Sequence, residues 1–273
     1  LYFASPDGHA GVTVLELRGD PTAPDPAIRE VHLPAPRLAH LAFARFEAEG
    51  GRPGFAFAPP GARAIGFLRV GEDGLPRGVP TSSPTPPLQE SLTTLYAAGD
   101  SIADLLVGGT GATIFPGAED GALAPPVPIL AGRVLDLLAL DFDGDGAQDA
   151  AALVEADEGA RVVVLSAGKE ETAADLDGFA TQLAAGDFDG DGRPDLATNG
   201  EAGSLLLSRS HGFERREHGA VGHRIAAGDF DGDGRDDLAA VGPGVTILRN
   251  EGGGNFRPIA VDLAGAGFSP TGA

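Results

Sequence analysis

The chain contains no cysteine, no methionine and no tryptophan, and only two tyrosines, Tyr2 and Tyr96. Without cysteine there is no disulfide scaffold, no zinc ribbon and no thiol nucleophile. Tryptophan and tyrosine are the usual platforms on which sugar rings stack, so their scarcity counts against a sugar-binding role. Basic residues are also few: 19 Lys and Arg face 40 Asp and Glu, a net charge of −21. A phosphate backbone wants Lys and Arg, which argues against a nucleic-acid partner, and an anionic membrane surface is disfavoured for the same reason. No apolar run reaches 18 residues and no signal peptide is evident, so membrane insertion is not expected. There is no initiator methionine, and the sequence reads as a mature or excised piece of something longer.

What the chain has in excess is turn formers: 42 glycines and 22 prolines among 273 residues. They lie between short hydrophobic runs, which predicts many short strands rather than helices and argues against a disordered low-complexity chain. Self-similarity then decides the architecture. Three Asp-rich loops begin at Asp141, Asp187 and Asp229, 46 and 42 residues apart. Each follows an apolar strand (residues 137–140, 182–185 and 224–227) and precedes another (150–153, 196–198 and 238–241). A third strand comes next (162–165, 205–207 and 245–248), then a weaker fourth, as at 256–261. Four short strands per unit is the pattern of a propeller blade.

Degenerate copies extend the repeat upstream. Ala97-Ala98-Gly99-Asp100 matches Ala184-Ala185-Gly186-Asp187, with its loop cut to five residues, Asp100 to Asp104. Arg45 to Gly50 overlays Asp187 to Gly192, with Arg45 at the first ligand position; Arg45 is expected to pair with Glu47 or Glu49 in place of an ion. Residues 1–17 resemble the second half of a unit. The expected fold is all-β, a single β-propeller domain over 1–273, with units near 1–37, 38–91, 92–133, 134–179, 180–222 and 223–273. Six blades are favoured and seven are the alternative; in a ring the C-terminal segment would complete the first blade, hiding its open edges. The Pro- and Gly-rich stretch 71–87 reads as an inserted surface loop.

The three loops carry the chemistry. In each, carboxylates at positions 1, 3, 5 and 9 and the carbonyl at position 7 can converge on one hard cation, and a glycine at position 6 permits the turn. The predicted ligands are Asp141, Asp143, Asp145, the Ala147 carbonyl and Asp149; Asp187, Asp189, Asp191, the Arg193 carbonyl and Asp195; and Asp229, Asp231, Asp233, the Arg235 carbonyl and Asp237. Position 12 holds Ala152, Thr198 or Ala240 rather than the bidentate Glu of an EF-hand. A plain Asp-Gly hairpin needs one such dipeptide, not four carboxylates three times over, which would repel by about 1 kcal/mol per close pair even in water. Calcium is therefore favoured over magnesium, at about three ions; three doubly charged ions would bring the formal charge from −21 to −15. The phenylalanines at position 2 (Phe142, Phe188 and Phe230) read as packing residues between blades.

The run Asp-Phe-Asp-Gly-Asp-Gly-Arg-x-Asp-Leu-Ala at Asp187 and at Asp229 resembles the FG-GAP/VCBS repeat of integrin α-subunits, of similarly shaped fungal lectins and of many secreted bacterial proteins. The resemblance is strongest over 134–250. It implies calcium in the strand-connecting loops, usually seven blades, and a secreted or cell-surface role in adhesion or ligand recognition. The expectation is a monomeric, calcium-stabilised extracellular scaffold for an unidentified protein or glycan, not an enzyme. The Ala- and Gly-rich composition suits a bacterium of high genomic GC content. The alternatives are a carbohydrate-binding lectin and a polysaccharide-processing domain, which glycan binding or polysaccharide turnover would reveal. The six histidines share no ligand spacing, and no P-loop or nucleophile elbow is present.

Overall fold

A computed structural model describes residues 2–6, 11–18, 27–34, 40–45, 53–58, 64–70, 76–84, 89–96, 102–118, 123–166, 168–200, 203–219, 222–242 and 244–261. They form 23 strands in six antiparallel sheets, and no helix is present among the described residues. The first sheet holds β1 (Tyr2–Pro6), β2 (Gly11–Arg18) and β3 (Ala27–Pro34). The second holds β4 (His40–Arg45), β5 (Pro53–Ala58), β6 (Ala64–Val70) and β7 (Pro76–Pro84). The third holds β8 (Gln89–Leu95), β9 (Asp104–Gly109), β10 (Gly111–Phe115) and β11 (Val127–Ala131). The fourth comprises β12 (Val134–Leu140), β13 (Asp149–Ala156), β14 (Gly159–Ser166) and β15 (Lys169–Leu176). The fifth comprises β16 (Leu183–Gly186), β17 (Asp195–Thr198), β18 (Ser204–Ser208) and β19 (Phe213–Glu217). The sixth comprises β20 (Arg224–Gly228), β21 (Asp237–Val241), β22 (Val245–Gly252) and β23 (Asn255–Val261). In every sheet the strands pair in sequence order. The chain divides into two compact units, Leu1–Val134 and Leu135–Ala273.

The stretch 71–87, expected as a surface loop, instead contains β7, the outer strand of its sheet, paired with β6 from Ala64↔Pro84 to Val70↔Pro76. An edge strand needs its N–H groups on one side only, so Pro76, Pro80 and Pro84, which share one parity, are tolerated there. The expected completion of the first sheet by the C-terminal segment falls on residues 262–273, outside the described residues. So does the expected pairing of Arg45 with Glu47 or Glu49.

The continuous apolar runs of the second unit follow from burial on both faces. Successive strand residues point to opposite sides. In β18, Leu206 packs into the cluster shared with the preceding sheet, beside Leu153, Val162 and Leu196. Its neighbours Leu205 and Leu207 pack into the cluster shared with the following sheet, beside Ile225, Leu238 and Leu248. All three leucines are fully buried. Burying a leucine is worth about 1.5–3 kcal/mol over leaving it exposed. In the first unit, Ala42, Ala56 and Ile65 of the second sheet pack likewise on Leu105, Val107 and Phe115 of the third. In the fourth and fifth sheets the outer strands carry charge: β15 reads Lys-Glu-Glu-Thr-Ala-Ala-Asp-Leu, and β19 reads Phe-Glu-Arg-Arg-Glu and is exposed after its first residue. Charged edges of this kind resist pairing with other chains.

A candidate metal centre in three loops

Each Asp-rich loop joins the first strand of a sheet to the second, and hydrogen bonds within the loop shape it. In the Asp187 loop, the first carboxylate accepts N–H bonds from Gly190 (2.8 Å), Asp191 (3.1 Å) and Gly192 (2.9 Å). The Asp229 loop repeats this with Gly232 (2.7 Å), Asp233 (3.1 Å) and Gly234 (2.9 Å). Asp141 accepts from Gly144 (2.7 Å) and Gly146 (3.0 Å). The wrap requires positive φ at positions 4 and 6: Gly190 and Gly192 both have φ 83°, a conformation that costs a side-chain-bearing residue about 1–2 kcal/mol.

The ninth position is a buried strut. Asp195 is wholly inaccessible and accepts from Phe188 N (2.9 Å) and from Ser208 N at the end of the third strand (2.7 Å). Asp237 is equally buried and accepts from Phe230 N (3.2 Å) and Asn250 N (2.7 Å). Asp149 accepts from Phe142 N (3.0 Å). The result is a convergence of carboxylates. One oxygen each from Asp141, Asp143 and Asp149 lies within 4.8 Å of the others, and the same holds for Asp187, Asp189 and Asp195 and for Asp229, Asp231 and Asp237.

The fifth-position aspartates stand outside these triads. Asp145, Asp191 and Asp233 accept the N–H of Ala147 (2.8 Å), Arg193 (2.9 Å) and Arg235 (3.0 Å), closing the turn two residues on. Local spacing does not reveal the groups that cover the third position. Arg209 Nη1 lies 2.7 Å from Asp189, and Arg249 Nε lies 2.5 Å from Asp231. Arg235 pairs with Asp233, and the Ser166 hydroxyl donates to Asp143 at 2.9 Å. Ser166, Arg209 and Arg249 follow the apolar run of the third strand, within two residues of Leu165, Leu207 and Leu248.

The electrostatics follow from burial beside like charge. Burial pushes the Asp195 carboxyl up to about 6, against the pull of the Ser208 and Phe188 amides, and the charges of Asp189 and Asp191 push the same way. Burial also raises Asp149. Asp229 moves the other way, held below the usual carboxylate range chiefly by the Gly234 amide. Convergent hard oxygens, one of them desolvated, fit a divalent cation of the calcium type. The guanidinium groups on Asp189 and Asp231 show the same demand for positive charge.

The second-position phenylalanines divide. Phe188 is fully buried, 5.8 Å edge to face from Phe256 of the next sheet, and Phe142 packs similarly on Phe213 at 6.2 Å. Phe230 is half exposed; the residues that follow its sheet lie outside the described set. At the shortened upstream loop, Asp104 is buried and accepts the Gly117 amide at 2.9 Å, the role that Asp195 plays in its own sheet.

The FG-GAP repeat matches residues 179–207 and 221–256, spans that contain the Asp187 and Asp229 loops. The fold is that of the solved BBS1N in complex with ARL6DN. In the lead-soaked crystal the TM-score is 0.61 at 13% identity, covering 92% of this chain and 75% of that one. In the mercury-soaked crystal it is 0.63 at 11% identity, covering 95% and 78%. No curated protein matches the chain significantly.

Proposed function

Because this chain carries FG-GAP repeats on the four-stranded blades of a β-propeller, we propose that it is a calcium-stabilised extracellular scaffold that recognises a protein ligand. The threefold convergence of carboxylates, each set anchored by an aspartate at position 9, carries this reading. The ion would be held by Asp141, Asp143 and Asp149, by Asp187, Asp189 and Asp195, and by Asp229, Asp231 and Asp237. Asp145, Asp191 and Asp233, with the carbonyls of Ala147, Arg193 and Arg235, would complete the donor sets. Calcium would supply there positive charge beyond that of Arg209, Arg249 and Arg235, which pair with Asp189, Asp231 and Asp233. The protein's own part is structural: each loop ties the first strand of a blade to the end of the third, so a filled loop stiffens the blade edge that a ligand meets.

One observation favours a protein ligand, and a general property of calcium modules suits a place outside the cell. The solved propeller in the comparison is held in complex with a protein. Extracellular modules bind calcium at about 10⁻⁴–10⁻³ M, which suits exposed loops of this kind. In this reading the chain binds as a monomer and performs no chemistry. Among the described histidines, His218 is buried with Nε2 against the Thr198 carbonyl (2.9 Å), a packing role.

Thermal unfolding in about 1 mM calcium and then in excess chelator, with ion stoichiometry measured alongside, tests the reading. At that concentration mass action adds about 0.4–1.4 kcal/mol per site. A lower melting temperature on chelation, with about three ions per chain, is the expected result. An unchanged melting temperature with no bound ion would leave the loops as turns only.

A further inference from the structure

The three loops are not wired alike. Asp236 stands at the eighth position of the third loop, yet its side chain serves the second: Oδ2 accepts the Asp187 amide at 3.0 Å. Asn250, 1% exposed, reaches both loops. Its backbone N–H donates to Asp237 (2.7 Å), and its Nδ2 donates to the carbonyls of Phe188 and Asp236, both at 2.9 Å. Gly254 N adds a second bond to the Phe188 carbonyl at 3.0 Å. The first two residues of the second loop are thus held from the sixth sheet.

Room for this contact is built in. A Cβ on Gly186 would stand 2.8 Å from Asp236 Oδ2 and 2.9 Å from its Cβ, so a larger residue before Asp187 would push the Asp236 side chain aside. The first loop differs at all three places. Leu140 precedes Asp141. The counterparts of Asp236 and Asn250 in the fifth sheet are Pro194, which has no side-chain acceptor, and Ser208, whose hydroxyl turns back to the Pro194 carbonyl of its own loop.

We propose that Asp236 and Asn250 are positioning residues that couple the Asp187 and Asp229 loops, so that these two load calcium as a pair while the Asp141 loop loads alone. The proposal rests on the calcium reading above. An ion at Asp229, Asp231 and Asp237 orders the segment 236–237, which through Asp236 and Asn250 fixes the backbone of Asp187 and Phe188. By thermodynamic reciprocity an ion in the second loop favours the third by the same factor, and couplings of this kind run from about 5- to 150-fold.

Gly146, Gly192 and Gly234 each donate a hydrogen bond to the first carboxylate of their own loop, so their amide NMR signals follow the three loops separately during calcium titration of the full chain. In Asp236→Ala the midpoint at Gly192 should rise by about 5-fold or more while that at Gly146 stays at the wild-type value. Asp236→Asn keeps an acceptor oxygen and should restore Gly192. Asn250→Ser, which copies the fifth sheet, should weaken Gly192 in the same way, and Asp229→Ala should weaken it from a distance. Wild-type midpoints at Gly192 in Asp236→Ala and Asn250→Ser would overturn the coupling, as would equal weakening at all three glycines, which marks general destabilisation. Wild-type signals that never move with calcium would overturn the calcium reading itself and the coupling with it.

Discussion

Replacing Asp195 with alanine should lower the unfolding free energy of the calcium-loaded chain by about 2–6 kcal/mol. The carboxylate is inaccessible and accepts the amides of Phe188 and Ser208. Alanine leaves both donors buried without an acceptor, at about 1–3 kcal/mol each. The loss should shrink in chelator, because there alanine also removes a buried charge that no cation compensates. Asp191→Ala is the contrast: that carboxylate accepts one exposed amide, and its loss should cost about 1 kcal/mol or less. Urea unfolding of both variants, with and without calcium, separates the two effects. An equal loss for Asp195→Ala in both buffers would reject a role for this carboxylate toward the ion.

In calcium-free buffer the folded chain should become less stable as pH rises from about 4 to about 6. Burial pushes the Asp195 carboxyl from the ordinary aspartate value of 3.8 up to about 6, so the folded state holds the proton more tightly. Its favourable contribution is complete below the unfolded pKa and has gone above pH 6, a change of about 3 kcal/mol. Asp149 acts in the same sense. Asp229 acts in the opposite sense, since its lowered pKa favours folding above its usual range and that gain is lost as pH falls. Two raised carboxylates outweigh it, together with the self-repulsion that builds as 40 acidic residues ionise against 19 basic ones. With millimolar calcium the slope should flatten or reverse, because proton and ion compete for one carboxylate. Urea midpoints collected across this range in both buffers check the claim, and parallel profiles would refute the competition.

The sequence made the three loops legible because the carboxylates and glycines that shape them are contiguous. The strands around them were legible because both-face burial writes uninterrupted apolar runs such as Leu205-Leu206-Leu207. The strand β7 was hidden by its prolines, which signal a loop anywhere except on an edge. Arg209, Arg249, Asp236 and Asn250 were hidden for another reason. Each acts across strand pairing or between sheets, and nothing in local spacing says which loop a side chain will meet. The fifth-position aspartates show the converse: their spacing suits a ligand set, yet their oxygens close the turn first.

Leu206 faces one neighbouring sheet and Leu205 and Leu207 face the other, so the fifth sheet has no private core. Its cohesion belongs to its two interfaces, and stability in this unit is a chain of nearest-neighbour terms rather than a property of any one blade. A cut after Glu217 would strip one face of β18 and leave two leucines bare. The fifth sheet is therefore the keystone of the unit, and damage to either flank is felt there first.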